Sequence, residues 1–369
     1  MARAAWFVFL LVTLLGISGC DNGQQDIGSD TVIVPVPQRQ PRKVGCGLVK
    51  MAAPALMPNF IIGNSDIDGL SEAVANSLNY LSKPSSQQYY PVCGISHEDM
   101  VATLQAFSYL LQENLTAAQL NQAMRQRFDI YTSSGANNSR SVLFTGYYVP
   151  VFDGSRVKTA KFSHPLYKLP VNLVRDNSGK VLGKRTAGGA LVKYPSSSEL
   201  EKSGELAGSE LVWLKSSSDV YVVQLQGSAR IKLQGGGQMV VGFAGSNGYD
   251  FVTGVGKAGN SRFVFFKEVT GVRGSIDQPL VPLRSVACND EIFPRGGLAF
   301  MTGRIPVNHS GKIVKSAYSG FVLNQDTGSA FKDASKCDIY MGEGAQAGRL
   351  AMNVYDQGRL YFLVIKEEF

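Results

Sequence analysis

Between residues 68 and 128, apolar positions recur every three or four residues, which is the spacing of helices with one buried face. Three helices are predicted. The first begins near Asp68 and is stopped by Pro84. The second follows Ser96 and the third follows Thr116, and each of these residues stands three before an Asp or Gln, as in a capping box. The inward faces are predicted to comprise Leu70, Val74, Leu78 and Leu81, then Met100, Leu104, Phe107 and Leu111, then Leu120, Met124 and Phe128.

After Thr132 the pattern changes to short apolar or alternating runs that are separated by Gly and Asn turns. Such runs are typical of barrels and sandwiches and not of alternating strand–helix units. The predicted strands are Val142–Val151, Val212–Trp213, Val220–Leu225, Ile231–Leu233, Met239–Phe243, Phe263–Phe266, Leu298–Thr302, Ala317–Leu323 and Leu360–Ile365.

The N-terminal residues have the pattern of an export signal. Arg3 is followed by the apolar stretch Ala4–Leu15, which is too short to cross a membrane comfortably. The stretch leads to Ile17-Ser18-Gly19-Cys20, which resembles the lipobox of bacterial lipoproteins. We therefore predict that residues 1–20 are a signal peptide ending in a lipidated Cys20, and that the polar residues 21–44 are a flexible tether.

This interpretation predicts a body held to a membrane by lipid, facing the periplasm of a bacterium. The outer membrane is favoured, although Asp21 resembles an inner-membrane retention signal of some enterobacteria. The alternative is an ordinary signal peptide in which Cys20 is incidental.

Composition agrees with a β-rich exported protein. The 369 residues include 40 glycines, 44% are hydrophobic and 18% are charged, which excludes disorder or a coiled coil as a description of the whole chain. The net charge of +7 favours an anionic partner. Nucleic acid, acidic lipid and an anionic cell-wall polymer all satisfy that condition.

Four cysteines remain after Cys20, an even number that suits disulfides in an exported protein. Three pairings are possible. We favour Cys46 with Cys93 and Cys288 with Cys337, because each bridge then stays within one half of the sequence. The three histidines are far apart and no closely spaced Cys/His cluster occurs, so neither a metal site nor a cofactor is predicted.

Two segments could bind a polar ligand. Phe144-Thr145-Gly146-Tyr147 combines a hydroxyl, a glycine and an aromatic ring, which suits sugar binding, but it also reads as a strand with alternate residues in the core. Gln224-Leu225-Gln226-Gly227-Ser228 reads as a strand with both amides on one face. An inward face would need a polar ligand for these amides, and an outward face would simply be solvated.

A third segment carries the acids. An apolar strand leads to Asp326 in an Asp-Thr-Gly turn, and Asp338 follows twelve residues later beside Cys337 and Ile339. The Asp326 carboxylate could merely close its turn. Partial burial would raise the pKa of Asp338 and make it a usable general acid. Two acids in unlike environments are typical of an acid–base site.

Asp326-Thr327-Gly328-Ser329 also matches the active-site signature of aspartic proteases. That mechanism needs a second such loop, because two carboxylates share one proton. No second loop occurs in the chain, so this alternative requires a symmetric dimer of the retropepsin type.

Taken in order, these segments resemble the membrane-bound lytic transglycosylase A family (MltA), lipoproteins that cleave peptidoglycan glycan strands. The motifs beyond the lipobox are Phe144–Pro150, His164–Tyr167, Val223–Ser228, Phe243–Gly248, Phe263–Phe266, Val281–Leu283, Gln325–Gly328 and Cys337–Gly342.

The resemblance implies a mainly β (α+β) fold: a double-psi β-barrel domain with N-terminal helices, a second, barrel-like β domain inserted into it, and a groove between them. The first domain would comprise residues 45–150 and 262–369, and the second residues 151–261. It also implies a lytic transglycosylase that forms a 1,6-anhydro end, with Asp338 as the single general acid and base and Asp326 in support. Groove residues would be Phe144, Thr145, Gly146, Tyr147, Gln224, Gln226, Gly227 and Ser228.

The chain departs from the family at Ser329, at Asn289 and at Ala345-Gln346, and by one extra residue between the two aspartates. A non-catalytic glycan-binding lipoprotein of the same fold is therefore the alternative function. The expected partners are peptidoglycan strands, the membrane through its lipid anchor, and other cell-wall enzymes, with no nucleic acid.

Overall fold

The computed structural model describes residues 46–52, 57–61, 67–176, 179–252, 259–328 and 331–368. The predicted signal peptide, Cys20 and the tether of residues 21–44 lie outside the described residues, as does Ser329. No helix within the described ranges is both long and apolar enough to cross a membrane.

The three predicted N-terminal helices are confirmed. The helices are α1 Ile67–Leu81, α2 His97–Gln112, α3 Ala117–Arg127, α4 Ser197–Ser203, α5 Ser217–Gln226 and α6 Gly344–Ala351. Both predicted capping boxes are present, because the side chains of Ser96 and Thr116 each accept a hydrogen bond from the backbone three residues later. The inward faces of α2 and α3 are buried at Met100, Leu104, Phe107, Leu120 and Met124.

Seventeen strands lie in the described residues. They are β1 Leu48–Lys50, β2 Phe128–Ser133, β3 Val142–Val149, β4 Val151–Ser155, β5 His164–Tyr167, β6 Leu173–Arg175, β7 Val181–Arg185, β8 Leu191–Val192, β9 Glu210–Leu214, β10 Ser228–Leu233, β11 Gln238–Ser246, β12 Val264–Val269, β13 Ser285–Ala287, β14 Leu298–His309, β15 Lys312–Asp326, β16 Lys336–Glu343 and β17 Tyr355–Ile365.

Six strands close into a barrel in the order β17-β14-β15-β13-β16-β3, and β3 pairs back onto β17. Two of the pairings are parallel, β13 with β15 and β3 with β16. The remaining strands of this sheet, β1 and β2, extend it from β17. The barrel is the predicted double-psi β-barrel, and helices α1 and α2 pack on it around aromatic residues such as Phe300 and Phe321.

The predicted strand Val142–Val151 forms two strands in the structure, which are separated by Pro150 and belong to different sheets. Val149 ends β3 in the barrel, and Val151 begins β4 in a second sheet. Because Pro150 has no backbone N–H to give to a strand ladder, it suits this change of partners. Its carbonyl still accepts a hydrogen bond from the Arg230 backbone N–H. The chain then stays outside the barrel until β13.

The second sheet has the order β12-β11-β10-β4-β9-β5. A bridge between Lys168 and Phe266 joins the region after β5 to β12, so the two edges of the sheet meet. Its core contains Val212, Ile231 and Val241, while the small sheet β6-β7-β8 lies beside it. This sheet domain therefore has its own core.

The predicted strand Val220–Leu225 is wrong, because these residues belong to helix α5. Ser216 caps the helix by accepting a hydrogen bond from the Asp219 N–H, and Gly227 ends it in the left-handed conformation at a φ of 78°. The buried Val220 and Val223 stand three apart, at helical spacing. The β-branched residues favoured a strand locally, but the two caps and the packing of the valines determine a helix.

One of the two predicted disulfides is confirmed. Cys46 and Cys93 form a disulfide, whereas Cys288 and Cys337 are free and buried. Ala287 at the end of β13 lies opposite Asp338 on β16, so the Cys288 thiol, just after β13, is a neighbour of the Cys337 thiol. Burial raises the pKa of the Cys337 thiol, and this disfavours the thiolate that disulfide formation requires. The predicted Cys288–Cys337 bridge is therefore wrong for this structure.

A buried amide joins α1 to the end of β15, directly beside Asp326. The Gln325 side-chain N–H donates to the Ala73 carbonyl at 2.7 Å and to the Ser77 hydroxyl at 2.9 Å. Its oxygen accepts from the Ser285 hydroxyl at 2.6 Å. The amide N–H and carbonyl groups of this fully buried side chain are thus all hydrogen-bonded. These bonds fix the end of β15 directly before Asp326.

We expect Gln325→Met to lower the free energy of unfolding by about 1–3 kcal/mol, because it leaves buried hydroxyl groups without their partner at nearly unchanged volume. Urea denaturation monitored by far-UV circular dichroism measures the change. Gln88→Met is the matched control, since Gln88 is exposed and bonds only within its own turn. Equal stabilities of the two variants would contradict the assigned role of Gln325.

Candidate active site

Asp338 lies on β16, where its parallel partner on β3 is Thr145. The Thr145 hydroxyl donates a hydrogen bond to Oδ1 of Asp338. On the other side β16 pairs with β13, where Ala287 lies opposite Asp338. The carboxyl is thus held between three strands of the barrel, yet about 20% of its side chain stays exposed. It can therefore reach a ligand at the barrel surface.

Asp326 ends β15 and is held mainly by backbone groups. Its Oδ1 accepts hydrogen bonds from the N–H of Ser275 and from its neighbour Thr327, each at 2.9 Å. The buried Tyr147 hydroxyl lies beside the carboxyl and lowers its pKa, although it makes no hydrogen bond of good geometry within the described residues. The Asp-Thr-Gly turn is closed as expected, and the donor Ser275 comes from the loop that returns from the second sheet.

The two acids have unlike electrostatic environments. Burial, together with a smaller effect of the nearby Asp338 charge, raises the pKa of Asp326 to about 6 against the lowering effect of its two N–H donors. Burial also raises the pKa of Asp338, while the Lys336 ammonium and the Thr145 hydroxyl oppose the shift. Asp338 therefore combines a raised pKa with partial exposure and a hydrogen-bonded position, as a general acid requires.

Strand alternation divides the predicted group Phe144–Tyr147 between two faces of β3. Thr145 and Tyr147 face the acids, whereas Phe144 is fully buried. A Cβ on Gly146 would stand only 2.8 Å from the backbone of Ala351 in α6. The assignment of Phe144 to the groove is wrong, because its ring packs in the core, and Gly146 serves the packing of α6 against the strand.

The predicted glutamines lie at the end of helix α5 and not on one strand face. The Gln226 side-chain oxygen accepts from the Tyr148 backbone N–H at 3.1 Å, which ties the helix to the acid-bearing barrel. The Gln224 side-chain oxygen accepts from the Val264 N–H at 3.4 Å within the second sheet. Gly227 is the C-terminal cap, and Ser228 begins β10 opposite Gly242.

The other acidic residues close in sequence to Asp326 and Asp338 are bound to neighbouring protein groups. Asp290 pairs with Arg295, and Asp333 accepts from the backbone N–H and hydroxyl of Ser335. Asn289 accepts a hydrogen bond from the Glu291 N–H and so closes a turn. These engagements leave Asp326 and Asp338 as the acids of the candidate site. In the described part of the chain, no group of three or more His, Cys, Asp or Glu side chains is arranged to hold a metal ion.

An ion pair joins the second sheet to the barrel at the end of β16. Arg230 Nε and a terminal nitrogen of the same guanidinium contact the two carboxylate oxygens of Glu343 at 2.6 and 2.9 Å. The residues are 113 apart in sequence, and about a third of each side chain is exposed. This bidentate ion pair restrains the two sheets relative to one another close to β16, the strand that carries Asp338.

We expect a double-mutant cycle of Arg230→Met and Glu343→Gln to give a coupling energy of about 1 kcal/mol, since the pair is bidentate but partly solvated. Urea denaturation of the four proteins provides the measurement. The Arg156–Glu268 pair is also bidentate, through the two terminal guanidinium nitrogens at 3.2 and 2.9 Å, but is about half exposed, so its cycle should give a smaller value. A coupling for Arg230 and Glu343 no larger than that of the control would contradict the restraint.

Two site features escaped the sequence prediction. Lys336 contacts Asp338, with its Nζ 3.4 Å from Oδ1. The alternation of β16 offered a signal, because residues two apart share a strand face. The Ser275 N–H, by contrast, comes from 51 residues before Asp326, and no local pattern identifies such a donor.

Comparison with known proteins gives two family matches. Residues 143–262 match the MltA specific insert domain, and residues 284–364 match the 3D domain. Together the two matches cover more than half of the chain. The second includes both candidate acids.

Individual relatives agree with these matches. The chain is 26% identical over 292 residues to membrane-bound lytic murein transglycosylase A of Escherichia coli K12, covering 69% of this chain and 74% of the relative. The structure resembles membrane-bound lytic murein transglycosylase from Agrobacterium tumefaciens, with a TM-score of 0.64 at 22% identity, over 81% of this chain and 93% of that one. It also resembles E. coli MltA with bound chitohexaose, with a TM-score of 0.63 at 22% identity, over 89% and 98% of the two chains.

Proposed function

Because the chain belongs to the membrane-bound lytic murein transglycosylase A family, we propose that it cleaves the β-1,4 bond between N-acetylmuramic acid and N-acetylglucosamine in peptidoglycan. The observation that carries this proposal is the pair Asp338 and Asp326, two partly buried acids in unlike environments at one surface of the barrel. The aspartic protease interpretation is set aside, since Asp326-Thr327-Gly328 lies within the 3D domain.

In the proposed mechanism Asp338 acts twice. The protonated carboxyl gives its proton to the glycosidic oxygen as the bond from that oxygen to C1 of the muramic acid breaks. The 6-hydroxyl of the same sugar attacks C1 and closes the 1,6-anhydro ring, and its proton passes to the Asp338 carboxylate. The proton count balances, no water is consumed, and the enzyme returns to its starting state.

One acid suffices because the nucleophile is part of the substrate. Ordinary glycosidases need two carboxyl groups, one to protonate the leaving oxygen and one to attack or to activate water. A hydroxyl within the same sugar has a very large effective concentration, so the second protein group is dispensable. Asp326, whose pKa is about 6, is ionised at neutral pH and supplies a negative charge close to where positive charge develops.

The glycan would lie across the region where the barrel and the second sheet meet. A relative of the same fold holds chitohexaose, a chain of amino sugars. Thr145 on the barrel and Gln224, Gln226 and Ser228 on the second sheet domain offer hydroxyl and amide groups for sugar hydroxyls. Tyr147 would act indirectly, because its buried hydroxyl lies beside the Asp326 carboxyl and lowers the pKa of that group.

We assign residues 45–150 and 270–369 to a catalytic barrel domain and residues 151–269 to an inserted domain. The insertion ends later than the expected residue 261, because β12 Val264–Val269 pairs with β11 in the second sheet. A relative that is named as membrane-bound supports a location at the cell envelope. We assign lipidation to Cys20, with the body facing the periplasm from the outer membrane, where other cell-wall enzymes are candidate partners.

Digestion of purified sacculi tests the proposed function. We expect soluble fragments with 1,6-anhydro ends, which mass spectrometry distinguishes because each is one water lighter than a reducing end. Reducing ends would show hydrolysis and overturn the transglycosylase mechanism. Sedimentation of the protein with sacculi, without release of fragments, would support the non-catalytic glycan-binding alternative.

A further inference from the structure

Lys336 stands two residues before Asp338 on β16, so both side chains project from the same face of the strand. The Lys336 ammonium lies 3.4 Å from Oδ1 of Asp338, and the exposed fractions of the two side chains are 25% and 20%. Because solvent screens such a pair only in part, the interaction is stronger than that of an exposed surface ion pair.

An aromatic ring holds the lysine in this position. The Lys336 ammonium is 5.3 Å from the centre of the Phe331 ring, and Phe331 is itself 8% exposed. A cation above a buried ring gains from the ring's negative face, which restricts an otherwise flexible side chain. Lys336 is therefore placed between the ring and the carboxylate.

The remaining groups around Asp338 are neutral or acidic. The Thr145 and Tyr147 hydroxyls come from β3, the Asp326 carboxyl from the end of β15 and the Cys288 thiol from the chain just after β13. Its own strand adds Cys337 and Tyr340. Lys336 is the single cation that bears on Asp338 among the described residues, and its charge opposes the effect of burial on the pKa of this acid.

We propose that Lys336 is a positioning residue which holds the Asp338 carboxylate in place and sets the pH range over which Asp338 changes from acid to base. The inference deepens the proposed function and rests on it for its catalytic meaning. Asp338 must be protonated to give a proton to the glycosidic oxygen and ionised to accept the proton of the 6-hydroxyl. A cation at this distance favours the ionised form, so it makes Asp338 a stronger acid and a weaker base.

Loss of the cation should raise the pKa of Asp338 and keep it protonated to higher pH. We expect Lys336→Met to move the alkaline limb of the kcat/KM profile upward, so that relative activity on that limb rises roughly 3- to 10-fold. Lys336→Arg keeps the charge and should retain the wild-type limb. Lys332→Met is the matched control, since this exposed lysine of the same segment pairs with Asp250 and not with Asp338.

A second measurement separates the inference from the proposed function. Protein labelled with carboxyl-¹³C aspartate is titrated by NMR, and the Asp338 signal is assigned by its absence in Asp338→Asn. We expect the midpoint of this signal to rise in Lys336→Met and in Lys336→Gln, and to stay unchanged in Lys336→Arg and Lys332→Met. An unchanged midpoint in the folded charge-free variants would overturn the inference. A shifted midpoint together with no anhydro product from the wild type would instead overturn the proposed function.

Discussion

Asp338→Asn should abolish the release of anhydro ends from sacculi, with kcat falling by about 10³-fold or more. The amide has nearly the volume of the carboxyl and still offers an oxygen to the Thr145 hydroxyl, so the local geometry is retained. Its amide N–H is far too weak an acid to protonate the glycosidic oxygen, and the amide is too weak a base to accept the proton of the 6-hydroxyl. Both proposed steps are lost by the same substitution, which makes this the largest effect that we expect.

The matched control is Asp129→Asn on β2, which also removes the acid of a lysine–aspartate pair, in this case with Lys50 at 2.6 Å. Asp129 is on a strand that extends the barrel sheet and is not among the groups that contact Asp338. It should retain wild-type rates, and thermal melting should show that both variants fold. Activity above a tenth of the wild-type rate in Asp338→Asn would show that the proton comes from another residue.

The sequence predicted those parts of the fold whose signals are local. The capping boxes at Ser96 and Thr116 and the breaker Pro84 located three helices, because each end is determined by residues within one turn. Helix α5 was missed even though Ser216 and Gly227 cap it. There the β-branched residues outweighed the caps in the sequence pattern, while in the structure burial of Val220 and Val223 determines the outcome.

The candidate site was predicted in composition but not in arrangement. Asp326, Asp338 and Thr145 came from motifs, and the parallel pairing of β3 with β16 brings Thr145 to Asp338 from 193 residues away. The same motif misplaced Phe144, because a match of adjacent residues does not tell which side of a strand is inside. The Arg230–Glu343 fork depends on how two sheets pack, and no short pattern encodes that.

Asp326→Asn should reduce kcat about 10- to 100-fold, less than Asp338→Asn does, because the amide keeps an acceptor for Ser275 and Thr327 but removes a negative charge.

The effect that distinguishes Asp326→Asn from Asp338→Asn is the change in how the free energy of unfolding depends on pH. Burial raises the pKa of Asp326 from 3.8 to about 6, so the folded state binds more protons than the unfolded state between those values. Stability from this group is therefore full below pH 3.8 and is lost as pH rises towards 6.

Because Asn does not titrate, the Asp326→Asn variant does not lose stability in this way as the pH rises. We expect the free energy of unfolding of Asp326→Asn, relative to wild type, to increase by up to about 3 kcal/mol between pH 4 and pH 7 in urea denaturation. Asp153→Asn provides a control of opposite sign, because a hydrogen bond from Lys215 lowers the pKa of the exposed Asp153 and its stabilisation is lost as pH falls. Parallel pH curves for wild type and Asp326→Asn would mean that folding leaves the pKa of Asp326 near 3.8, so that its carboxyl is mostly ionised above about pH 5. It would then bring a permanent charge to Asp338, and the division of roles between the two acids would rest on Lys336 and Thr145 alone.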